Sequence, residues 1–443
     1  MQAVKTLRQI ATLKSRFTFL HLLRDPLKFF QSIGQNGAAL TEMNLGGRRF
    51  CIVNDPELIR DIFVTRGSQF EKFPQGNPKQ KLFGRGLLTS EGTAQKSQRR
   101  ILLPAFHRER LQIYAAHMVS LAENMCRSWQ SGQSVDIASF MNTLTLRVIG
   151  LTFFGIDDPR LLADLGRHLA TMLHLVNRFV MPWGDMLMRL PLPSSLRYHS
   201  ASRQLEQIIA ELIAKAKTTS EDNLLRVLVE ARKPDGSALT DEEIRDEIVT
   251  MIVAGHETVA VGLTWCLHLL ATHPSLQTSL AQRTTAILGS HPPGIQHYTD
   301  LEFLQHAFSE SLRLYPPIWI MGRRALEPYS SDEFNTPAGT IFLVCMASLH
   351  RHAEFFPDAS AFVPDRWLNP TWPAYAYIPF GAGDRRCIGE RFAWMEGVFF
   401  LACLLRRWEF KSSGNQPEAL PQLTLHPKGA VMLEVLERKV SVE

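Results

Sequence analysis

Phe380-Gly-Ala-Gly-Asp-Arg-Arg-Cys-Ile-Gly389 holds three glycines, two arginines and one thiol within ten residues. Glycine tolerates positive φ and lets the backbone approach a flat ligand closely, so this stretch reads as a tight loop. The residues after it, 390–408, are apolar enough to predict one buried helix, which puts Cys387 at a helix N-terminus. There the positive end of the dipole and the free N–H groups lower a thiol's pKa and favour its anion. The neighbouring arginines call for an anionic partner. Taken alone, a Cys-x-Gly reads equally as a turn before a core helix with an incidental cysteine.

Working outward, Thr240-Asp-Glu-Glu243 is a capping box that opens a helix running to Pro274. At 1.5 Å per residue such a helix is roughly 50 Å long, enough to cross the molecule. Its middle, 248–270, is apolar almost all round, as a transmembrane span would be. Ala254-Gly-His-Glu-Thr258 sits at the centre, however, where a carboxylate facing lipid is costly, so a helix buried in a large protein is the better reading. On residues alone, Thr258 could bond back to its own helix and Glu257 could form a structural ion pair.

The pattern Phe-x-x-Gly-x-Arg-x-Cys-x-Gly, complete from Phe380 to Gly389, resembles the haem-binding loop of the cytochrome P450 family. The resemblance implies that Cys387 is the proximal iron ligand, whose thiolate pushes electron density onto the iron, a general property of that family. It implies that Phe380, Gly381 and Gly389 shape the loop against the porphyrin and that Arg385 pairs with a propionate. Ala254, Gly255, Glu257 and Thr258 match the family's oxygen-activation motif: Gly255 leaves room for dioxygen and loosens the helix, Thr258 offers a hydroxyl, and Glu257 relays protons. Glu310 and Arg313, three apart on a helix, resemble its second signature, and Phe362-Val-Pro-Asp-Arg-Trp367 would add Arg366 to a buried charge cluster that serves folding.

Further propionate contacts are implied from a helix in which Arg99 stands where the family places an Arg or His and Gln95 where it places a Trp or His. Arg99 on a solvated helix face is the alternative, and Gln95 retains an amide donor. A strand read at 318–324 implies Arg323, with Arg324 next, as another such contact. Phe83, Leu87, Val253, Ile318, Trp319 and Ile320 are the substrate-pocket candidates. The apolar connection 179–193, rich in Met, Trp and Leu, is either the roof of a substrate channel or a loop packed on the core.

The remaining chain is read more coarsely. Residues 40–45 and 48–53 form a hairpin about Gly46-Gly47, Asp55-Pro56 opens a short helix, and 69–92 is a long loop. Helices are expected at 108–130, 137–154, 160–178, 195–217, 274–288 and 301–314, a helix and turn at 221–234, a strand at 340–346 and a short strand pair around Gly429.

At 443 residues, 45% hydrophobic and 21% charged, the chain is able to bury a large core. Its net charge of +5 is not gathered into a basic block with interleaved aromatics, so nucleic acid is excluded as a partner. Six scattered cysteines fit a reducing cytoplasm better than a disulfide framework. Residues 1–30 mix basic residues with short apolar runs, so a stable membrane anchor is not expected; a transit peptide or surface helix is the alternative.

The expected fold is mainly α with small β-sheets, the family's triangular prism with haem between the long central helix and the cysteine loop. It comprises an N-terminal segment, 1–38, and a single domain, 39–443, without a fused reductase. The implied activity is insertion of one oxygen atom from O2 into an apolar molecule, with haem b as cofactor, a ferredoxin or flavodoxin with its reductase as electron donor, and a monomeric state. A peroxide-driven or oxygen-independent member and a non-catalytic haem-thiolate sensor are the rivals. Fatty acid, terpenoid and polyketide substrates all remain open.

Overall fold

The computed structural model describes residues 10–13, 21–22, 24–72, 83–179, 186, 190–219, 222–331, 334–414 and 416–438. Residues 73–82 of the long loop and most of the apolar connection 179–193 lie outside them.

Helices dominate, and several begin where the sequence supplies a cap. Asp55 accepts from the N–H groups of Glu57 and Leu58 to open Pro56–Arg60, Asp136 caps Ile137–Phe154, and the Thr240/Glu243 capping box opens Asp241–Ile252. The central helix is one rod in three parts: Asp241–Ile252, a π-helical turn at Val253–Glu257, and Thr258–Ala271. The expected uninterrupted α-helix is therefore corrected at the pentad itself, where the backbone bonds widen by one residue. Asp241–Ala271 and Ile137–Phe154 are long and apolar enough to cross a membrane, yet most of each is buried in the fold. They pack on one another, and Gly255 permits it: a Cβ there would lie 2.8 Å from Ile149 Cδ1.

One large apolar core joins the central helix, Ile137–Phe154, Glu302–Leu314 and Glu390–Arg407. To one side lies a six-stranded sheet in the order Ile10–Leu13, Leu40–Leu45, Arg48–Val53, Ile341–Val344, Met321–Ala325, Phe70–Glu71. The Gly46-Gly47 hairpin has the expected register, Leu40 opposite Val53 and Leu45 opposite Arg48. Ile10–Leu13 runs parallel to Leu40–Leu45, so the segment before residue 39 contributes a strand to the same sheet. A three-stranded sheet, Trp408–Ser412, Met432–Glu437 and Gln133–Asp136, closes the other end.

Several boundaries differ from expectation. The strand read at 318–324 is Met321–Ala325, because the chain has only just left Pro316-Pro317 and pairs with Ile341–Val344 from Met321 onward. The strand read at 340–346 stops at Val344 and turns into the short helix Met346–Leu349. The helix expected to reach 130 ends at Cys126. The strands flanking Gly429 do not pair with each other: Leu425–Pro427 pairs with Ala419–Pro421, and Met432–Glu437 pairs with Trp408–Ser412 and Gln133–Asp136.

Candidate active site

The cysteine loop is held in a tight turn in which Cys387 N–H donates to Phe380 O at 2.9 Å. Gly381 (φ 73°) and Gly383 (φ 66°) are left-handed, and a Cβ on Gly383 would fall on the Phe63 carbonyl. Gly389 is not left-handed; it caps the helix Glu390–Arg407 with φ −88° and lies close to Phe106 and the Cys387 sulfur. Phe380 packs on Trp394 at 5.1 Å between ring centroids, and Trp394 meets Phe308 edge-on, which joins the loop to the Glu302–Leu314 helix.

Cys387 lies deep in the protein and still keeps open surface. Burial pushes its thiol up, outweighing the Gly389 N–H, Arg99 and Lys72, which lower it. The expected net lowering at the helix N-terminus is thus reversed: desolvation of the anion exceeds the fields that favour it.

Gln95 and Arg99 both fasten this loop. Arg99 donates to Arg386 O at 2.7 Å and the buried Gln95 donates from Nε2 to Asp384 O at 3.3 Å. Arg385 reaches the other way, to Leu87 O at 3.3 Å, to Ser90 O and to the Glu91 carboxylate. Arg323 is buried beside it with its guanidinium 4.3 Å from the Phe63 ring, and it donates to its own Gly322 carbonyl. Burial and the nearby Arg385 bring Arg323 down to about 10, while Glu91 opposes. Among the described residues, two guanidinium groups here share one carboxylate. Arg324 points elsewhere, to Glu71.

On the central helix Ala254 is exposed and Gly255 and Thr258 are partly so, although the residues on either side are buried. Thr258 Oγ1 donates to Ala254 O at 2.8 Å. Glu257 Oε1 accepts from Thr424 Oγ1 at 2.9 Å and lies 2.7 Å from His426 Nε2. Although burial opposes it, these hydrogen bonds and the His426 charge hold Glu257 below the usual carboxylate range. Thus both local alternatives read from sequence, the back-bonded threonine and the paired glutamate, are present as geometry.

Glu310 is fully buried and accepts from Arg313 Nε and Nη2 (both 2.8 Å), Arg366 Nε (3.0 Å), Val363 N–H (3.0 Å) and Trp367 Nε1 (3.0 Å). Arg313 also donates to the carbonyls of His350, Ala359 and Ala361. Every charge in the trio is therefore hydrogen-bonded, as burial demands. Of the pocket candidates, Phe83, Leu87 and Val253 belong to the main core. Ile318 packs on a second cluster, while Trp319 and Ile320 join a third that includes Phe30, and Trp319 Nε1 donates to Gln422 O. The 83–90 loop meets the central helix at Asp246, which accepts from Arg85 N–H at 2.6 Å, and at Glu247, which accepts from Leu87 N–H at 3.0 Å.

The family model for cytochrome P450 matches residues 16–434. The chain belongs to the cytochrome P450 family. It is 34% identical over 405 residues to cyclooctat-9-en-7-ol 5-monooxygenase of Streptomyces melanosporofaciens, covering 88% of this chain and 86% of that one. Pentalenene oxygenase of Streptomyces avermitilis is 32% identical over 395 residues, 87% of each chain. Cytokinin hydroxylase of Arabidopsis thaliana is 30% identical over 405 residues, 87% of this chain and 78% of that one.

This P450 is therefore an oxygen-incorporating oxidoreductase, a monooxygenase that uses haem b with an axial cysteine thiolate and takes a hydrophobic substrate and electrons from a redox partner. The residues present fit that cofactor. Haem carries two carboxylates, and the Arg323/Arg385 pair has positive charge that Glu91 alone does not match. A coordinated thiol is deprotonated outright, which removes the objection that burial disfavours the free anion.

Two groups of partners escaped the sequence reading. Glu91 had no motif to mark it. Thr424 and His426 carried a faint signal, since residues two apart on a strand share a face, but nothing pointed that face at Glu257.

Proposed function

We propose that this chain hydroxylates or epoxidises an apolar, cyclic unsaturated hydrocarbon or its alcohol, with Cys387 as the axial ligand. The observation that carries the site assignment is the guanidinium pair of the buried Arg323, on the strand Met321–Ala325, and the half-buried Arg385, on the loop of the open Cys387. Arg99 and Gln95 act first as braces of the cysteine loop, and Arg385 and Arg323 receive the propionates. The substrate class rests on the names of the Streptomyces relatives, one an unsaturated cyclic alcohol's monooxygenase and the other an oxygenase of an alkene.

Haem, when bound, supplies the redox chemistry of O2. The chain's own residues govern protons and access. Inserting one oxygen atom as a hydroxyl and releasing the other as water consumes two electrons and two protons with each O2. Glu257 carries protons to the Ala254–Thr258 surface, where the Thr258 hydroxyl, already donating to Ala254 O, keeps its oxygen lone pairs free to accept a hydrogen bond. Phe83, Leu87 and Val253 are the stronger substrate-side candidates, since Ile318, Trp319 and Ile320 pack on two other clusters. Glu310, Arg313 and Arg366 set the fold around the loop.

An acidic ferredoxin or flavodoxin is the electron donor in this reading. Lys96 and Arg386 are well exposed on the cysteine side, each already beside an acid, Asp384 and Glu390. That makes the docking face weakly rather than strongly basic. The chain acts as a cytoplasmic monomer whose haem-binding unit spans 39–443, with the strand Ile10–Leu13 joined to its sheet. Cys387→Ser tests the core of the reading: the reduced, carbon-monoxide-treated variant is expected to lose the red-shifted thiolate band. Retention of that band would refute the assignment.

A further inference from the structure

We infer that His426 is the residue through which Glu257 is re-protonated from solvent, making the C-terminal strand Leu425–Pro427 the proton inlet of the central-helix site. The inference rests on the reading of Glu257 as the proton carrier. His426 Nε2 lies 2.7 Å from Glu257 Oε1, which also accepts from Thr424 Oγ1 at 2.9 Å. Oε2 has no hydrogen-bond partner among the described residues, so the carboxylate has one anchored and one free oxygen. The histidine side chain is 26% exposed and that of Glu257 12%, which makes the imidazole the link open to water.

The strand is fixed in place for this contact. Trp265, on the central helix itself, donates from Nε1 to Leu425 O at 2.8 Å, and Leu425 N–H donates to Pro317 O at 2.9 Å. Thr424 and His426, two residues apart, therefore present the same face to Glu257. A lysine or arginine at 426 would make a lasting ion pair, whereas an imidazole exchanges its proton near neutral pH. Thr424 has no proton to give at that pH and only positions the oxygen. His256, the other titratable neighbour, donates from Nδ1 to Ile252 O at 2.6 Å, and burial holds it below the ordinary histidine range. Further along the strand Lys428 is paired with Glu418 at 2.9 Å on the surface.

The step moves only a proton. The His426 Nε2–H bond breaks as the Glu257 Oε1–H bond forms, leaving neutral imidazole and neutral carboxylic acid. The imidazole then takes a proton from bulk water, and the carboxyl delivers its own toward the Thr258 side. Two such cycles supply the two protons consumed per O2. His426 thus acts through Glu257 and is a positioning and relay residue, not a catalytic one.

The experiment compares wild type, His426→Gln and Glu257→Gln, all haem-loaded and driven by a surrogate ferredoxin and reductase. Hydrogen peroxide released per NADPH and the solvent deuterium isotope effect on NADPH consumption are recorded across pH. The expected result for H426Q is a several-fold rise in the peroxide fraction, a larger isotope effect and loss of the wild-type alkaline limb, with substrate affinity unchanged. Independently of turnover, 15N-histidine NMR of the ferrous carbon-monoxide form should show the His426 Nε2 resonance changing in E257Q, which alters its hydrogen-bond partner. Wild-type coupling and isotope effect in H426Q alongside impaired E257Q would overturn the inference alone. Wild-type behaviour in both variants would overturn the Glu257 reading as well. Should H426Q fail to retain haem, the NMR comparison decides: a His426 Nε2 resonance unmoved by E257Q rejects the relay.

Discussion

Glu247 faces the 83–90 loop from the first third of the central helix, and replacing it with glutamine should flatten the pH dependence of stability. One carboxyl oxygen accepts from Leu87 N–H at 3.0 Å and the other is buried without a partner. Burial first, and the adjacent Asp246 charge after it, raise this group from 4.5 to about 7, with the Leu87 hydrogen bond opposing. A raised carboxyl means that the folded protein keeps a proton the unfolded chain has already lost. Its contribution is fully present below pH 4.5, declines as pH rises, and is gone above about 7. At about 1.4 kcal/mol per pH unit the whole window is worth about 3 kcal/mol. Glu247→Gln removes the titration but leaves an acceptor for Leu87. Urea unfolding midpoints of haem-loaded protein at pH 5, 6, 7 and 8 should therefore converge at the acid end. Toward pH 8 the variant should gain on wild type by about 2–3 kcal/mol, since most of the window is crossed. Parallel curves over this range would refute the reasoning.

Glu310→Ala strands Arg313 among three carbonyls and should cost about 3–5 kcal/mol in chemical unfolding, with haem content falling in parallel. Arg323→Met should act with opposite signs in two assays: the haem-free protein gains about 1–2 kcal/mol because a buried cation beside Arg385 is removed, while haem dissociation, followed by transfer to apomyoglobin, becomes faster. Gly383→Ala, at φ 66° with a Cβ directed onto Phe63 O, should lower haem occupancy in purified protein far more than Gly389→Ala, whose nearest neighbours stand at 3.5 Å or beyond.

What the sequence made legible was whatever it encodes contiguously. The Cys387 loop, the Ala254–Thr258 pentad and the Glu310/Arg313 pair are each fixed by residue types at short spacing, and local backbone geometry follows from them. The hairpin about Gly46-Gly47 and the Thr240 capping box belong to the same class, because both are decided within six residues of the turn or cap. The π-helical turn was half legible. Gly255 signalled a weak point, but the close approach of Ile149 from another helix at that position was not readable from the sequence.

Electrostatic partners were illegible for a different reason. Glu91 is 294 residues from Arg385, and His426 is 169 from Glu257. Spacing of that size carries no geometric information until strand order and helix packing are fixed. The direction of the Cys387 shift shows the consequence. A helix N-terminus correctly predicted that a backbone N–H favours the thiolate, while the cations that do so, Arg99 and Lys72, come from elsewhere in the chain, and the outcome turned on how much protein closes over the sulfur, a property of the assembled fold. The same logic explains why Glu257 stays low in a buried position while Glu247, ten residues earlier on the same helix, rises. The first meets a hydroxyl and an imidazole from a distant strand, and the second meets one backbone N–H and a neighbouring acid. Two carboxylates on one helix are thus set apart by their long-range partners, one held as an anion beside the Thr258 surface and the other raised to about 7 under the 83–90 loop.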